Sequence, residues 1–267
     1  MARESSKRSG LLALTREVSP SITRCELTHL AREPIDLETA RREHAAYERA
    51  LAALGCEVVR IPGAPELPDA VFVEDAAIIL DGAAIVTRPG APSRREETPA
   101  VAEVVGRYLP LLRMAGPGTV DGGDVLRLGK TLYVGRSARS DAAGIAELAR
   151  LAGPLGWRVE GVELRGCLHL KSAATEVGDG LVLANPAFVD PAAFAPAEVI
   201  EIDPAEPFGA NALRVGDAVI HPLAFPRTRA RLAARGLRVV EVAAAELAKA
   251  EGGVTCCSLI LAPPRMR

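Results

Sequence analysis

"AAIILDGAAIVTRP", residues Ala76 to Pro89, sets two apolar, β-prone runs on either side of an Asp-Gly pair. Two such runs around a Gly-containing turn read as a β-hairpin. The pattern returns three times, in "DVLRLGKTLYVGRS" (Asp124 to Ser137), "ATEVGDGLVLANP" (Ala174 to Pro186) and "NALRVGDAVIHP" (Asn211 to Pro222). The turns begin at Asp81, Gly129, Gly178 and Gly216, in steps of 48, 49 and 38 residues.

Helix-like stretches separate the hairpins. "TPAVAEVVGRYLPLL" runs from Thr98 to Leu112 and "SDAAGIAELARLAG" from Ser140 to Gly153. Ser140 is the expected N-cap of the second, with Asp141 in the first turn, where the helix dipole favours an acid. A third, Leu37 to Gly55, ends on a C-cap-type glycine and leads into the strand-like "CEVVRIP". A strand–strand–helix unit of this size cannot bury its apolar face alone, so its repetition suggests radial stacking about an axis. Four units plus a fifth, made from "GGVTCCSLIL" and an N-terminal strand, would close a ring. The repeats by themselves also allow an open α/β sheet.

Bulk properties narrow the function classes. The 267 residues are 49% hydrophobic and 25% charged, with a net charge of -2, as expected for a globular chain with a sizeable core. Lys and Arg are scattered and aromatics make up only 3%, so neither a polyanion footprint nor a stacking platform for single strands is present. The four-residue run Leu11 to Leu14 is too short for the core of a signal peptide, and no 18-residue apolar stretch follows. The five cysteines, Cys25, Cys56, Cys167, Cys256 and Cys257, are odd in number and widely spread. We therefore expect free thiols, a cytoplasmic location, and neither a nucleic-acid nor a membrane partner. Residues 1–267 read as a single domain, with residues 1–10 a flexible extension.

Five stretches break the local rules. In "LPDAVFVEDAAIIL", Asp69, Glu74 and Asp75 interrupt an apolar run, although carboxylates are rarely buried unpaired. They are either solvated edge residues or an acidic pocket for a cation. A guanidinium fits such a pocket best, because its planar fork of donors matches carboxylate oxygens in pairs. "TVDGGDVLRLG" is an ordinary turn, yet it places Asp121 just before a strand, where it could orient a histidine. In "RGCLHLKSAATEV", His169 sits in a run with strand alternation. It and His221 are the strand-borne histidines, whereas His29 and His44 lie in polar segments. "TRPGAPSRREE" presents Arg94, and "GRSARSD" presents Arg139, as clamps for a carboxylate.

The fifth stretch, "EGGVTCCSLILAPP", carries adjacent thiols. As a strand it would turn Cys257 to the face shared with Thr255, Leu259 and Leu261, the more continuously apolar one. Cys256 would then face Val254, Ser258 and Ile260, with Gly252 and Gly253 permitting close approach of a ligand. Two structural thiols remain the bland alternative. No CxxC, HExxH, GxGxxG, Walker or GxSxG pattern accompanies these residues, so metal, nucleotide and serine-hydrolase readings lose their usual support.

Taken in order, "LPDAVFVEDAAII", "TRPGAPSRREE", "VDGGDVL", "CLHLKSAATEV" and "EGGVTCCSLI" resemble dimethylarginine dimethylaminohydrolase, of the guanidine-modifying pentein superfamily. The resemblance runs from about Arg24 to Leu261. It implies an α/β fold, a five-bladed α/β propeller of strand–strand–helix–strand units, acting on a small-molecule guanidine with no cofactor or metal. It leaves a homodimer open. It implies Cys256 as nucleophile, His169 as general acid and base, and Asp121 as the carboxylate that orients His169. Asp69, Glu74 and Asp75 match substrate-binding acids, Arg94 and Arg139 match holders of the amino-acid end, and Leu30 in "CELTHLAREPID" matches a lid residue. Glu251 stands where the family carries Asp, which puts contact with the substrate amino group in doubt. The implied reaction converts methylated arginines to citrulline and an alkylamine through a cysteine thiouronium intermediate. Arginine deimination or amidino transfer on the same scaffold, and a silent arginine-binding module, are the alternatives.

Overall fold

The structure, a computed structural model, describes residues 10–262. Of the expected N-terminal extension, residues 1–9 lie outside the described residues.

The chain forms five three-stranded sheets. Strand β1 (Leu12–Arg16) is followed by helix α1 (Leu37–Ala53) and β2 (Glu57–Ile61). The second unit is the hairpin β3 (Ala77–Leu80) and β4 (Ala83–Val86), helix α2 (Thr98–Val105) and β5 (Leu111–Arg113). The third is β6 (Val125–Leu128), β7 (Thr131–Arg136), α3 (Ala142–Ala152) and β8 (Arg158–Glu163). A single turn, α4 (Leu170–Ala173), leads into β9 (Ala174–Gly178), β10 (Leu181–Ala184) and β11 (Glu198–Glu201). The fifth unit is β12 (Leu213–Val215), β13 (Ala218–Pro222), α5 (Pro226–Ala234) and β14 (Arg238–Val242). A last turn, α6 (Ala245–Ala248), precedes β15 (Leu259–Leu261), which pairs antiparallel with β1 and so completes the first sheet from the other end of the chain.

Every sheet has the same plan: an antiparallel pair, then a third strand parallel to the middle one after a crossover. A parallel neighbour demands such a crossover, which explains why each hairpin is followed by a helix. The fourth unit departs from this. "NPAFVDPAAFAPAE" crosses over with one 3₁₀ turn, Pro191–Phe194, because three prolines within eleven residues deny it a regular helix, and the next repeat comes early. The hairpin turns rest on glycines in left-handed backbone, such as Gly82 at φ 78° and Gly180 at φ 65°.

Alternate residues of the inner strands serve different cores. Leu12 and Leu14 pack with Ala77 and Ile79 of the next sheet, while Ala13 between them packs with Val215 and Ile220 of the fifth. In the same way Ile78 and Leu80 meet Val125, Leu126 meets Val182, and Leu183 meets Val219. Each apolar cluster thus lies between one sheet and its neighbour, and the fifth sheet shares one with the first. Strands buried on both faces read as unbroken apolar runs. The third strands β2, β8, β11 and β14 are partly exposed, which puts the outer edge of each sheet in solvent. Among the described residues no helix is long and apolar enough to cross a membrane.

Local expectations that failed have physical reasons. The N-cap of α3 is Asp141, whose carboxylate accepts the Gly144 N–H, whereas Ser140 turns inward to donate to Asp124. His169 is not on a strand but immediately precedes α4. Residues 254–257 form a turn, and the strand begins only at Leu259.

Candidate active site

The reactive groups come from the segments that enter the first strand of each sheet. Asp75 lies two residues before β3, Asp121 four residues and Asp124 directly before β6, His169 ahead of α4 and β9, and Cys256 three residues before β15. Parallel packing of these entries brings residues remote in sequence to one cavity, lined by Asp69, Phe72, Asp75, Arg94, Arg139, His169, Glu251 and Cys256.

His169 is buried between carboxylates. Its Nε2 is 3.0 Å from Asp121 Oδ2, and its Nδ1 lies 3.9 Å from Asp75 Oδ1. Burial disfavours its charge, but Asp75, Asp124 and Asp121 outweigh that and raise its pKa to about 9. Asp121 is fully buried, and its Oδ1 accepts the Gly90 N–H at 2.8 Å. Asp75 resists burial through His169 and Arg94, which hold its carboxyl down at about 2, and its Oδ1 also accepts the Gly123 N–H at 2.8 Å. A Cβ at Gly123 would come within 2.7 Å of both Asp75 Oδ1 and His169 Nδ1, so the close approach of the two groups requires glycine there.

Asp124 was not singled out in the sequence, although it ends the quoted Asp-Gly-Gly-Asp. It accepts from Ser137 Oγ, Ser140 Oγ and the Leu170 N–H, and so fixes the turn that presents His169. Burial raises its pKa to about 6, against the pull of His169 and these donors.

Cys256 sits in the 254–257 turn, partly accessible, with Sγ accepting the Gly253 N–H at 3.3 Å. Burial first, then Glu74 and Asp75, push its thiol up to about 12. Cys257 points into the core beside Tyr47 and Val254, with Sγ near the Gly253 carbonyl. All five cysteines are free.

The remaining expected residues divide into two groups. Asp69 lines the cavity while its Oδ2 accepts the Glu26 N–H, and burial raises its pKa. Arg139 reaches Thr28 Oγ1 at 3.2 Å and lies 3.9 Å from Asp121. Arg94 is enclosed by Asp75, both oxygens of Glu97, and the carbonyls of Asp69 and Phe72. Glu74 lies behind the cavity wall, paired with Lys171 and accepting from Thr255 Oγ1 at 2.8 Å. Leu30 lines a larger neighbouring cavity of about 540 Å³, which shares Leu168, Glu251 and Gly252 with the catalytic one. Glu251 accepts the backbone N–H groups of Thr28, His29 and Leu30 at 2.9, 2.5 and 2.6 Å, from a backbone at φ 59° that side chains rarely adopt. Lys171, Thr255 and Glu97 were missed as partners, since only the fold shows that the buried acids need them.

Asp75, Asp121 and His169 could present three ligand atoms within 4.8 Å of one another. A histidine ligand must be neutral, so a metal here would have to displace the His169 proton that Asp75, Asp124 and Asp121 hold to about pH 9.

No family model matches the chain. The chain is 40% identical over 251 residues to the N(G),N(G)-dimethylarginine dimethylaminohydrolase of Streptomyces coelicolor, spanning 93% of this chain and 96% of that one. It is 38% identical over 226 residues to that of Pseudomonas aeruginosa, spanning 84% and 89%. A crystallised Pseudomonas aeruginosa enzyme, a cysteine-to-serine mutant complexed with citrulline, superposes with a TM-score of 0.89 at 36% identity, covering 93% and 98% of the two chains. The N-terminal domain of ArgZ, a cyanobacterial arginine dihydrolase, shares the fold at 21% identity with a TM-score of 0.80, over 94% and 97% of the chains. Fold and relatives together define a hydrolase of the guanidine-modifying class. Within it, the chain belongs to the N(G),N(G)-dimethylarginine dimethylaminohydrolase family.

Proposed function

We propose that the protein hydrolyses Nω-methylated arginines to citrulline and dimethylamine or methylamine, with Cys256 as nucleophile. The observation that carries this reading is one buried cavity that holds a thiol, a histidine protonated up to about pH 9, and the acids Asp69 and Asp75. A guanidinium carbon is resonance-stabilised and needs both a strong nucleophile and a protonated leaving amine. Asp75 and Asp69 hold the cation and Arg139 faces the amino-acid end, while Arg94, expected there too, is taken up by Asp75 and Glu97. As the cation binds, Cys256 gives up its proton to solvent; the Sγ thiolate bonds to the guanidinium carbon, and the tetrahedral adduct expels the alkylamine as His169 donates its proton. Neutral His169 then takes a proton from water, whose oxygen attacks the thiouronium carbon. The carbon–sulfur bond breaks, the adduct's hydroxyl proton passes to sulfur, and citrulline leaves with the thiol restored. Asp121 holds the His169 ring and favours its charged form.

Glu74 acts from behind the wall, through Thr255 and Lys171. The catalytic cavity has room for about 20 Å³, enough for a water but not for an arginine side chain. Substrate entry therefore requires the cavity lining to move, and the 28–30 loop, whose three backbone N–H groups are held by Glu251 of that lining, is the segment that would lift. The five sheets with shared cores support one closed five-bladed propeller, and with it a single-domain chain. The free cysteines support a cytoplasmic location.

Incubation with asymmetric dimethylarginine, monomethylarginine, arginine and agmatine tests the reaction, with citrulline and carbamoylputrescine as readouts. Citrulline from the methylated substrates is expected. Turnover of arginine with none from the methylated substrates would overturn the assignment.

A further inference from the structure

We propose that Asn211 is a positioning residue that sets the nucleophile turn against the histidine turn. This rests on the reading of Cys256 and His169 given above. Four of the five units deliver a reacting group from the segment entering their first strand, and the fifth delivers Asn211, two residues before β12. Its side chain is buried and fully engaged. Nδ2 donates to the Lys171 carbonyl and to Thr255 Oγ1, both at 3.0 Å, and Oδ1 accepts the Thr255 N–H at 3.1 Å. Lys171 is two residues past His169, and Thr255 immediately precedes Cys256.

The connection closes on itself. Thr255 Oγ1 accepts from Asn211 and donates to Glu74 Oε2, and Glu74 in turn takes the Lys171 ammonium. Glu74 also donates its backbone N–H to the Cys256 carbonyl at 3.2 Å. Three loops from three sheets are thereby joined through one amide, and an amide is required because one end must donate while the other accepts. The fit is tight. A Cβ at Gly253 would lie 2.4 Å from Asn211 Oδ1, so the nucleophile turn is moulded against this side chain. Asn211, Thr255, Glu74 and Lys171 do not line the smaller cavity that holds Cys256 and His169, although Asn211 borders the larger one beside it.

Misplacing a reacting atom by about 1 Å costs roughly a hundredfold in rate, so loss of this tether should reach kcat more than KM. In Asn211→Ala, kcat is expected to fall about 30-fold with KM within threefold. Thr255→Val breaks the same chain without altering Asn211, and should fall similarly, whereas Thr255→Ser keeps the hydroxyl and should stay within about threefold of wild type. The double variant should lose little more than either single one, because both cut one connection. Multiplying losses, or a folded Asn211→Ala with wild-type kcat, would overturn the proposal. If Asn211→Ala does not fold, the Thr255→Val and Thr255→Ser pair decides alone: equal kcat in the two would overturn it. Alkylation of Cys256 by a chloroacetamidine, followed by mass spectrometry, separates this from the assigned reaction. An enzyme inert toward methylarginines still reports whether Asn211→Ala slows that labelling tenfold, as expected, or leaves it unchanged, which would refute the tether.

Discussion

In the resting site the thiol and the imidazole do not form an ion pair. His169 holds its proton to about pH 9, whereas the Cys256 thiol is pushed up to about 12. At pH 8 only about one Cys256 in ten thousand would then be thiolate, a cost of about 5 kcal/mol. The substrate supplies what is missing. A guanidinium about 4 Å from sulfur contributes about 4 kcal/mol at an effective dielectric of about 20, equivalent to roughly three pKa units. The thiol would then ionise near pH 9, and about one in ten would be reactive at pH 8. The test is to alkylate Cys256 with chloroacetamide and with chloroacetamidine, which share a leaving group but differ in charge, over pH 6 to 10. Labelling is read by mass spectrometry at Cys256 against Cys257. The cationic reagent should react on the order of a thousandfold faster at pH 8, and the neutral reagent should still be accelerating at pH 10. Rates within tenfold of each other, or a neutral rate that levels off below pH 9, would show that the thiolate preexists and that substrate charge is not what forms it.

Cys256→Ser should abolish turnover, since an alkoxide is far harder to form than a thiolate, while Cys257→Ser should cost about 1 to 3 kcal/mol of stability with kcat largely kept; a thermal melt beside the assay distinguishes the two, and an active Cys256→Ser would end the assignment. Asp121→Asn removes the carboxylate 3.0 Å from His169 Nε2, so the histidine should lose its proton at lower pH. The alkaline limb of the rate profile should then move to lower pH and kcat/KM fall about 100-fold, and an unmoved limb would detach Asp121 from this role. Glu251→Gln keeps the shape of the latch but weakens three hydrogen bonds to one carboxylate, so the amides of Thr28, His29 and Leu30 should exchange with deuterium at least about tenfold faster. Unchanged exchange would mean that the loop is held by other contacts.

The architecture was legible wherever a local rule coincided with the global one. The four hairpins each carry a turn signal and two β-prone runs, and each appears as a paired sheet. The first unit was harder, since its antiparallel partner β15 lies some 245 residues beyond β1 and has no turn to announce it. Strand entries were the least legible part. Short irregular turns at residues 170–173 and 254–257 look like strand in sequence because they continue the runs of the strands they feed, whereas Gly122–Asp124 reads as the turn it is. Their conformation is set by buried carboxylates and glycines from neighbouring units, which no local window contains.

The adjacent cysteines show how that failure stayed harmless. Strand alternation put Cys256 and Cys257 on opposite faces, and they do point oppositely, Cys257 into the core with Tyr47 and Cys256 into the cavity with His169. Yet the 254–257 segment is a turn, so alternation is not the cause. The cause is Asn211 and Glu74, which hold Thr255 from outside the turn, together with Gly253, whose missing side chain lets Asn211 approach. The thiol that lines the cavity was reached through a rule that does not operate there. Register along a strand depends on the pleat alone, whereas here it depends on a hydrogen-bonded ring that joins the entries to four sheets. A substitution in that ring should therefore misdirect Cys256 while leaving every strand in place.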